Sequence, residues 1–379
     1  MLSVSKQRGS SLFYPYVSDD KFSEISYNEL FSPKVIKKRL NEVISPAAVE
    51  FLHQELPLED KGTKILSTTT VFNVQTLEGE GLKNLVNVQK INDIRYINKF
   101  FEAVNNLLPD GGVFIGCAET MEERRLRILR KFPKPLAYPY YFFDFLVKRV
   151  LPKTRLTRKI YFMVTGGRNR VISLPEVLGR LFSCGFEVVR HTEIDNQLWF
   201  IARKVKEPAF NEYATYGPFI KLNRLGREGK TIKVYKLRTM HPYSEYLQNY
   251  VYQMNALAVG GKFKDDFRVT SWGKLFRKLW LDELPMLINW LKGDLKLVGV
   301  RPLSSHYLGL YSAELRSRRI NFKPGLIPPF YVDLPKTLDE IMASEARYLE
   351  AYEKAPFRTD FEYFFKALHN IFIKRARSN

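Results

Sequence analysis

Cysteine and histidine are scarce in this chain, with two cysteines, Cys117 and Cys184, and five histidines among 379 residues. The two thiols lie far apart in apolar settings. That reads as buried free cysteines in a reducing compartment, and it excludes a disulfide framework. No pair of histidines has metal-ligand spacing, and no zinc or redox motif is present. Long apolar runs are missing too. No stretch reaches the about 20 apolar residues that an ordinary transmembrane helix needs. The opening MLSVSKQRGS has no apolar core of a signal peptide. Acidic residues are in deficit: 60 Lys and Arg face 40 Asp and Glu, a formal net charge of +20. That excess calls for an anionic partner, whether nucleic acid, an acidic membrane surface or a phosphorylated substrate. Aromatics, by contrast, are plentiful, with 28 Phe, 21 Tyr and 4 Trp. Basic plus aromatic character suits a membrane-surface protein and also an RNA binder.

The length allows two domains with proper cores. Residues 1–35 read as an irregular lead-in and 33–56 as helices interrupted at Pro46. The β-branched run 64–77 predicts a strand, and 85–88 a second. Residues 94–108 read as a helix, Pro109-Asp110-Gly111-Gly112 as a turn and 113–117 as a strand. A helix over 174–184 and strands over 186–192 and 197–205 follow. This order, over about 85–205, resembles the second half of a class I methyltransferase. The resemblance implies a Rossmann-like α/β domain over 36–205. Activity does not follow from it, because the candidate first strand leads into residues 68–76, which hold no glycine. The family needs a Gly-rich loop there so that backbone can approach the cofactor. A structural or regulatory domain is the expectation. Within it, residues 133–153, PKPLAYPYYFFDFLVKRVLPK, form a dense aromatic run with basic edges. The run is either an interfacial segment or a buried helix.

Chemistry is concentrated in residues 276–302, FRKLWLDELPMLINWLKGDLKLVGVRP. Leu275, Leu279, Leu284, Leu287, Ile288 and Leu291 recur at helical spacing. Pro285 should break or kink that helix, leaving Asp282 and Glu283 at a helix end. Adjacent carboxylates flanked by Arg277, Lys278, Lys292 and Lys296 suit Mg²⁺-assisted phosphoryl chemistry: oxygen ligands hold the ion, cations neutralise phosphate, and one carboxylate can act as nucleophile. From the pair alone, a capped amphipathic helix with ordinary surface salt bridges is the reading to expect, because acidic dipeptides in helices are common.

The surrounding residues add weight to the first reading. Tyr216-Gly217-Pro218, Arg224-Leu225-Gly226, Tyr235-Lys236-Leu237-Arg238-Thr239-Met240, Asp266-Phe267-Arg268-Val269-Thr270, Leu281-Asp282-Glu283-Leu284-Pro285, Leu291-Lys292-Gly293-Asp294, Val298-Gly299-Val300-Arg301-Pro302 and Lys323-Pro324-Gly325 occur in that order. Over roughly the last 170 residues the chain resembles the bacterial sugar transferases, the monotopic phosphoglycosyl transferases that start glycan assembly on a polyprenyl carrier. The resemblance implies an α+β catalytic domain with amphipathic helices over 206–379. In it Asp282 would be the nucleophile on the sugar-linked phosphate of a nucleotide diphosphosugar, a UDP-sugar by expectation. Glu283 would hold Mg²⁺. Arg224, Lys236, Arg238, Arg277 and Arg301 would bind substrate phosphates. Polyprenyl phosphate would accept the phosphosugar at the cytoplasmic face of a bacterial inner membrane, with an anionic membrane surface or a membrane partner protein holding the enzyme there.

The chain also departs from that pattern. The family's apolar re-entrant segment before Gly-Pro is replaced by the polar KVKEPAFNEYATY; the aromatic run and the helix around Trp272, Phe276 and Trp280 are candidate substitutes. Val300 stands where the family has Pro. After Lys323-Pro324-Gly325 the chain reads LIPPFYVDLPKTLDE, without the family's nucleotide-side Arg. Residues 241–264 read as a loop over the site, the region around Tyr348, Tyr352 and Tyr363 as helices with an aromatic face, and KRARSN as a basic tail. The alternatives are a degenerate scaffold of a glycan assembly complex, a bifunctional protein with an active S-adenosylmethionine-dependent domain, and a nucleic-acid binder. Intact Asp282-Glu283 and Arg301 favour the transferase, so no nucleic acid is expected.

Overall fold

The computed structural model describes residues 33–210, 216–254, 257–258, 262–263 and 266–374. Most of the lead-in, part of the segment before Gly217, part of the 241–264 stretch and most of the basic tail lie outside the described residues. The fold is mixed α/β, with a sheet in the N-terminal part and a largely helical C-terminal part. Two compact units emerge: the described residues up to Tyr216 with Pro242–Leu247, and Gly217–His241 with the described residues from Gln248 onward.

The first unit opens with helices α1 (Pro33–Asn41) and α2 (Pro46–Glu55). Pro46 sits at the first position of α2 and the Ser45 side chain accepts from the Ala48 N–H, so the interruption at Pro46 is a helix start. Strand β1 (Thr63–Leu66) is followed by β2 (Asn84–Lys90), α3 (Ile97–Leu107) and β3 (Val113–Ala118). Then come α4 (Met121–Lys131), α5 (Lys134–Phe145), α6 (Arg155–Thr165), α7 (Leu174–Ser183) and the hairpin β4 (Phe186–Ile194) and β5 (Gln197–Lys204). The sheet order is β1-β2-β3-β5-β4; the first three strands are parallel and β5 runs antiparallel to both its neighbours.

Both faces of this sheet are buried, as parallel strands require. Ile115 and Cys117 pack on one face with Leu52, Val86, Trp199 and α2. Phe114, of opposite parity, meets Phe101, Phe186 and Phe200 on the other, with ring centroids 5.6–5.9 Å apart. A buried Phe stabilises by roughly 1.5–3 kcal/mol, so this aromatic face anchors the unit. Both cysteines are buried and free, and burial pushes each thiol up to about 12.

One sequence expectation is corrected here, and one of two open alternatives falls. Residues 64–77 do not form one strand: β1 ends at Leu66 and a helical turn spans Phe72–Gln75. The buried Asn87 side chain receives the Thr68 N–H and donates to the Thr68 carbonyl, so the backbone past β1 leaves the ladder for a side chain. The aromatic run does not form a buried helix either. In α5 only Ala137 is buried, while Leu136, Tyr138, Tyr140, Phe142 and Phe143 are exposed. Arg124 anchors this helix by a bidentate pair to Asp144 at 2.7 Å. Helix α6, not read from the sequence, exposes Leu156, Ile160, Met163 and Val164.

The second unit opens with a two-stranded antiparallel ribbon, β6 (Phe219–Leu225) and β7 (Thr231–Leu237), where alternating basic and apolar residues around Gly226 and Gly229 read as a β-hairpin. Helix α8 (Gln248–Met254) lies in the stretch read as a loop, and Pro242–Leu247 belongs to the first unit, so that stretch is not one loop over the site. Helices α9 (Ser271–Lys278) and α10 (Met286–Leu291) follow, then β8 (Lys296–Val298), α11 (Ala313–Arg319) and β9 (Gly325–Ile327), and finally α12 (Leu338–Lys354) and α13 (Pro356–Phe372). Strands β8 and β9 pair in parallel. Their backbones touch where two glycines meet: a Cβ on Gly325 would lie 2.1 Å from the Gly299 nitrogen. Val234, Met286, Leu326, Tyr331 and Ile371 form one core, and Val300, Tyr311, Leu315, Tyr348 and Leu349 another. Among the described residues no helix is long and apolar enough to cross a membrane.

Candidate active site

Asp282 and Glu283 lie on a single 3-10 turn, Leu281–Glu283, between α9 and α10. The helix stops before Pro285. Trp280 takes a left-handed backbone, φ 61°, which ends α9 two residues ahead of the carboxylates. A β-branched or bulky residue at positive φ is uncommon, and here the Trp280 indole N–H is fixed by donating to the Tyr331 hydroxyl at 2.9 Å.

Glu283 is buried, with Lys236 Nζ donating to its Oε1 at 2.7 Å and the Tyr331 hydroxyl to its Oε2 at 3.3 Å. Asp282 is half-buried. Burial and the neighbouring Glu283 charge push its carboxyl above the ordinary aspartate value, against the pull of Lys236 and Arg277. Burial lowers the Arg277 guanidinium, while Asp282 and Asp266 oppose that. Arg277 Nε donates to Thr239 Oγ1 at 3.0 Å. Helix α9 can come this close because a Cβ on Gly273 would lie 2.0 Å from the Thr239 carbonyl. Arg268 is 3% exposed and bound bidentately by Asp266 at 2.7 and 2.8 Å.

Asn289, unread in the sequence, fixes α10 to the ribbon. Its Oδ1 accepts from the Tyr235 N–H at 2.9 Å, and its Nδ2 donates to the Lys233 carbonyl at 2.8 Å and to Asp294 at 3.1 Å. A lone amide inside the apolar run LINWL was the available signal, since a buried amide needs partners. Tyr331 had no such signal.

The remaining expected phosphate-binding residues do not all converge. Ribbon pairing puts Lys236 opposite Ile220 and Arg224 opposite Ile232, on the same face but four residues apart, or about 13 Å at strand rise. Arg224 lies with Arg301: burial lowers its guanidinium and the Arg301 charge lowers it further. The Arg301 carbonyl accepts from Arg319 at 2.6 Å, and Arg319 pairs with the buried Glu345 at 3.4 Å. Arg238 is turned toward the start of the ribbon, its Nε donating to the Gly217 carbonyl at 3.0 Å. Two groupings result: Asp282, Glu283, Lys236 and Arg277 in one, Arg224 and Arg301 in the other.

Among the described residues no three His, Cys, Asp or Glu side chains form a metal cluster. A protein cage for a cation is therefore not built there. The adjacent carboxylates do fit Mg²⁺, which is commonly bound by one or two carboxylates together with substrate phosphates. Their mutual repulsion, visible in the raised Asp282, is what a shared cation would relieve.

Sequence comparison points the same way as these motifs. Residues 210–374 match the family model described as bacterial sugar transferase. The uncharacterized sugar transferase EpsL of Bacillus subtilis is 44% identical over 108 residues, 28% of this chain and 47% of that protein. The galactosyl transferase CpsE of Streptococcus agalactiae is 34% identical over 134 residues, 34% of this chain and 30% of that protein. The undecaprenyl-phosphate galactose phosphotransferase of Salmonella typhimurium is 38% identical over 108 residues, 27% of this chain and 22% of that protein. The chain thus spans less than half the length of these relatives. An O-methyltransferase family protein from Burkholderia thailandensis is a structural neighbour at 13% identity and a TM-score of 0.21, covering 36% of this chain and 34% of that one; at that score the likeness carries no argument.

Proposed function

We propose that this protein is a phosphoglycosyl transferase that moves a sugar-1-phosphate from a nucleotide diphosphosugar to polyprenyl phosphate, starting assembly of a bacterial surface glycan. The observation that carries this reading is the Asp282-Glu283 pair, set on a turn between two helices with Lys236 at 2.7 Å from Glu283. The relatives named for undecaprenyl-phosphate galactose and N-acetylgalactosamine transfer support the class of substrates.

In this mechanism an Asp282 carboxylate oxygen attacks the sugar-linked phosphorus of the donor, a UDP-sugar in the simplest case. The bond from that phosphorus to the bridging oxygen breaks, and the nucleoside monophosphate leaves with the electron pair. The phosphosugar is then held on Asp282. A phosphate oxygen of the polyprenyl carrier attacks the same phosphorus, the bond to Asp282 breaks, and the carboxylate is restored. Phosphoryl transfer depends mainly on positioning and charge neutralisation. Lys236 and Arg277 oppose the rise that burial and Glu283 impose on the Asp282 carboxyl. Glu283 and Asp282 would hold Mg²⁺, which when bound draws charge from the donor's diphosphate. Arg224 and Arg301 offer a second cationic grouping for substrate phosphate.

A lipid acceptor requires the enzyme to meet a membrane surface, here the cytoplasmic face of the bacterial inner membrane. The second unit exposes Trp272, Leu279, Leu284, Ile288, Trp290 and Leu291 on and between α9 and α10, next to the carboxylate turn. An exposed apolar set of this kind beside the carboxylate turn suits an interaction surface, and lipid is the partner the reaction supplies.

The test is release of nucleoside monophosphate from a panel of UDP-sugars by protein, Mg²⁺ and undecaprenyl phosphate in detergent, beside Asp282→Ala. Release that needs Mg²⁺ and is lost in the variant is expected. Absence of release across the panel from folded protein would overturn the reading in favour of a scaffold.

A further inference from the structure

The first unit contains a cavity of about 740 Å³ whose lining carries eight Lys and Arg side chains against two glutamates, Glu102 and Glu176. Glu176 is already neutralised. Arg149, Lys153 and Arg180 contact its carboxylate at 2.5, 2.6 and 2.9 Å, and against burial they hold it well below the usual carboxylate range. Lys99, Lys148, Arg158 and Lys159 also line the cavity and make no ion pair among the described residues.

Two arginines of the lining keep a buried donor unsatisfied. Arg170 Nε and Arg180 Nε, both on the lining, have no hydrogen-bond partner among the described residues. Arg180 is 5% exposed and lies 4.5 Å from the Tyr243 ring centroid. Burial and the charge of Arg180 push the Arg170 guanidinium down to about 10. A buried, partly unbonded guanidinium facing another guanidinium is costly unless an anion completes the set.

The third element is the start of α3. Tyr96, Ile97, Asn98 and Lys99, its cap and first turn, line the same cavity, and no side chain caps this end. The backbone N–H groups of a helix's first turn and its dipole favour phosphate. The aromatic rings of Tyr96, Phe162 and Tyr216 complete the wall, and the volume suits a ligand of small-molecule size.

We propose that this cavity is a binding site for an oligophosphate anion, held by the first turn of α3, by Lys99, Arg158 and Lys159, and by Arg170 and the buried Arg180. The site is separate from the Asp282 chemistry and does not rest on it. It also argues against an S-adenosylmethionine site in this cavity, because that cofactor carries two positive groups and one negative and would meet a strongly cationic wall. The phosphates could belong to a free small molecule or to a lipid headgroup.

The test uses the full chain and calorimetric titration with inorganic pyrophosphate, beside vesicles of phosphatidylcholine with and without phosphatidylglycerol. Two variants accompany the wild type. Lys99→Gln/Arg158→Gln/Lys159→Gln removes cavity cations that hold no ion pair, and its fold is checked by circular dichroism. Arg224→Gln/Arg301→Gln removes the second unit's cationic grouping. A pyrophosphate-binding event weakened about tenfold or more in the triple variant and unchanged in the double variant supports the proposal, with a free oligophosphate as ligand. Pyrophosphate binding absent while anionic vesicles bind in a triple-sensitive way supports it with a headgroup as ligand. Binding that the folded triple variant leaves unchanged in both arms, or no binding in either, overturns it.

Discussion

Lys236 and Glu283, 47 residues apart in sequence, meet at 2.7 Å with both side chains largely out of solvent. Lys236 comes from β7 and Glu283 from the turn before α10. The contact therefore fixes the carboxylate turn against the ribbon and sets the local charge that Asp282 experiences.

Lys236→Met is expected to raise the Asp282 carboxyl further, because Lys236 is one of the groups pulling it down. Less Asp282 is then ionised at a given pH, so the acid limb of nucleoside monophosphate release moves to higher pH. Glu283 is also left buried beside fewer cations. Turnover at neutral pH should fall by about 10²-fold. A pH–rate profile of the two proteins checks this; an unmoved acid limb would contradict it.

Asp282→Asn should abolish turnover without lowering stability. A carboxyl whose native value is raised favours the folded state below its ordinary value of about 3.9 and loses that contribution as pH rises through the native value. At pH 7.5 the variant escapes the cost of ionising in a half-buried site, and its melting midpoint should lie above that of the wild type by up to about 2–4 °C. The gap should close toward acid pH. Thermal unfolding at several pH values measures it.

Tyr331→Phe removes the hydroxyl that accepts from Trp280 and donates to Glu283. The part-buried indole N–H loses its partner, at a cost of up to about 1–3 kcal/mol. Turnover should fall together with the melting midpoint, since the Trp280 turn that presents Asp282 loosens. Asn289→Ala, which strands the Tyr235 N–H and Lys233 carbonyl, should be the more destabilising of the two. Urea unfolding of both variants gives the order.

Arg301→Gln and Arg224→Gln should each raise the KM for the nucleotide sugar by about tenfold and leave the acid limb of the pH profile in place. Neither residue acts on Asp282, and their closeness predicts that the double variant loses less than the product of the single effects. Steady-state kinetics of all three variants decides it.

Removal of Mg²⁺ by chelation should stop release, and restoring the ion should recover it without refolding, because no described metal cluster supports the fold. Circular dichroism before and after chelation separates loss of activity from loss of structure.

Much of the secondary structure was legible in the chain. The helix start at Pro46, the strands at β2 and β3, α7, the β4–β5 hairpin and the β6–β7 ribbon all follow local signals: proline, Gly-rich turns and alternation. Such signals are local, and the misses were not. The strand read over 64–77 ended early because Asn87, from the next strand, captures the Thr68 backbone. The aromatic run and α6 could not be placed inside or outside by composition alone, since exposed and buried apolar helices share the same residues.

The candidate site divides along the same line. The sequence alone determined the residue types and their order: adjacent Asp282 and Glu283, the break at Pro285, the basic flanks, and the match of residues 210–374 to bacterial sugar transferases. Only the tertiary structure decided which cation faces which carboxylate. It gave Lys236 to Glu283, paired Arg224 with Arg301, and supplied Tyr331 and Asn289. It also gathered the cations around one cavity of the first unit, from segments spread between Arg95 and Arg180. Charge at a point in space is the sum over residues distant in the chain, and a linear pattern carries no record of that sum until the chain folds.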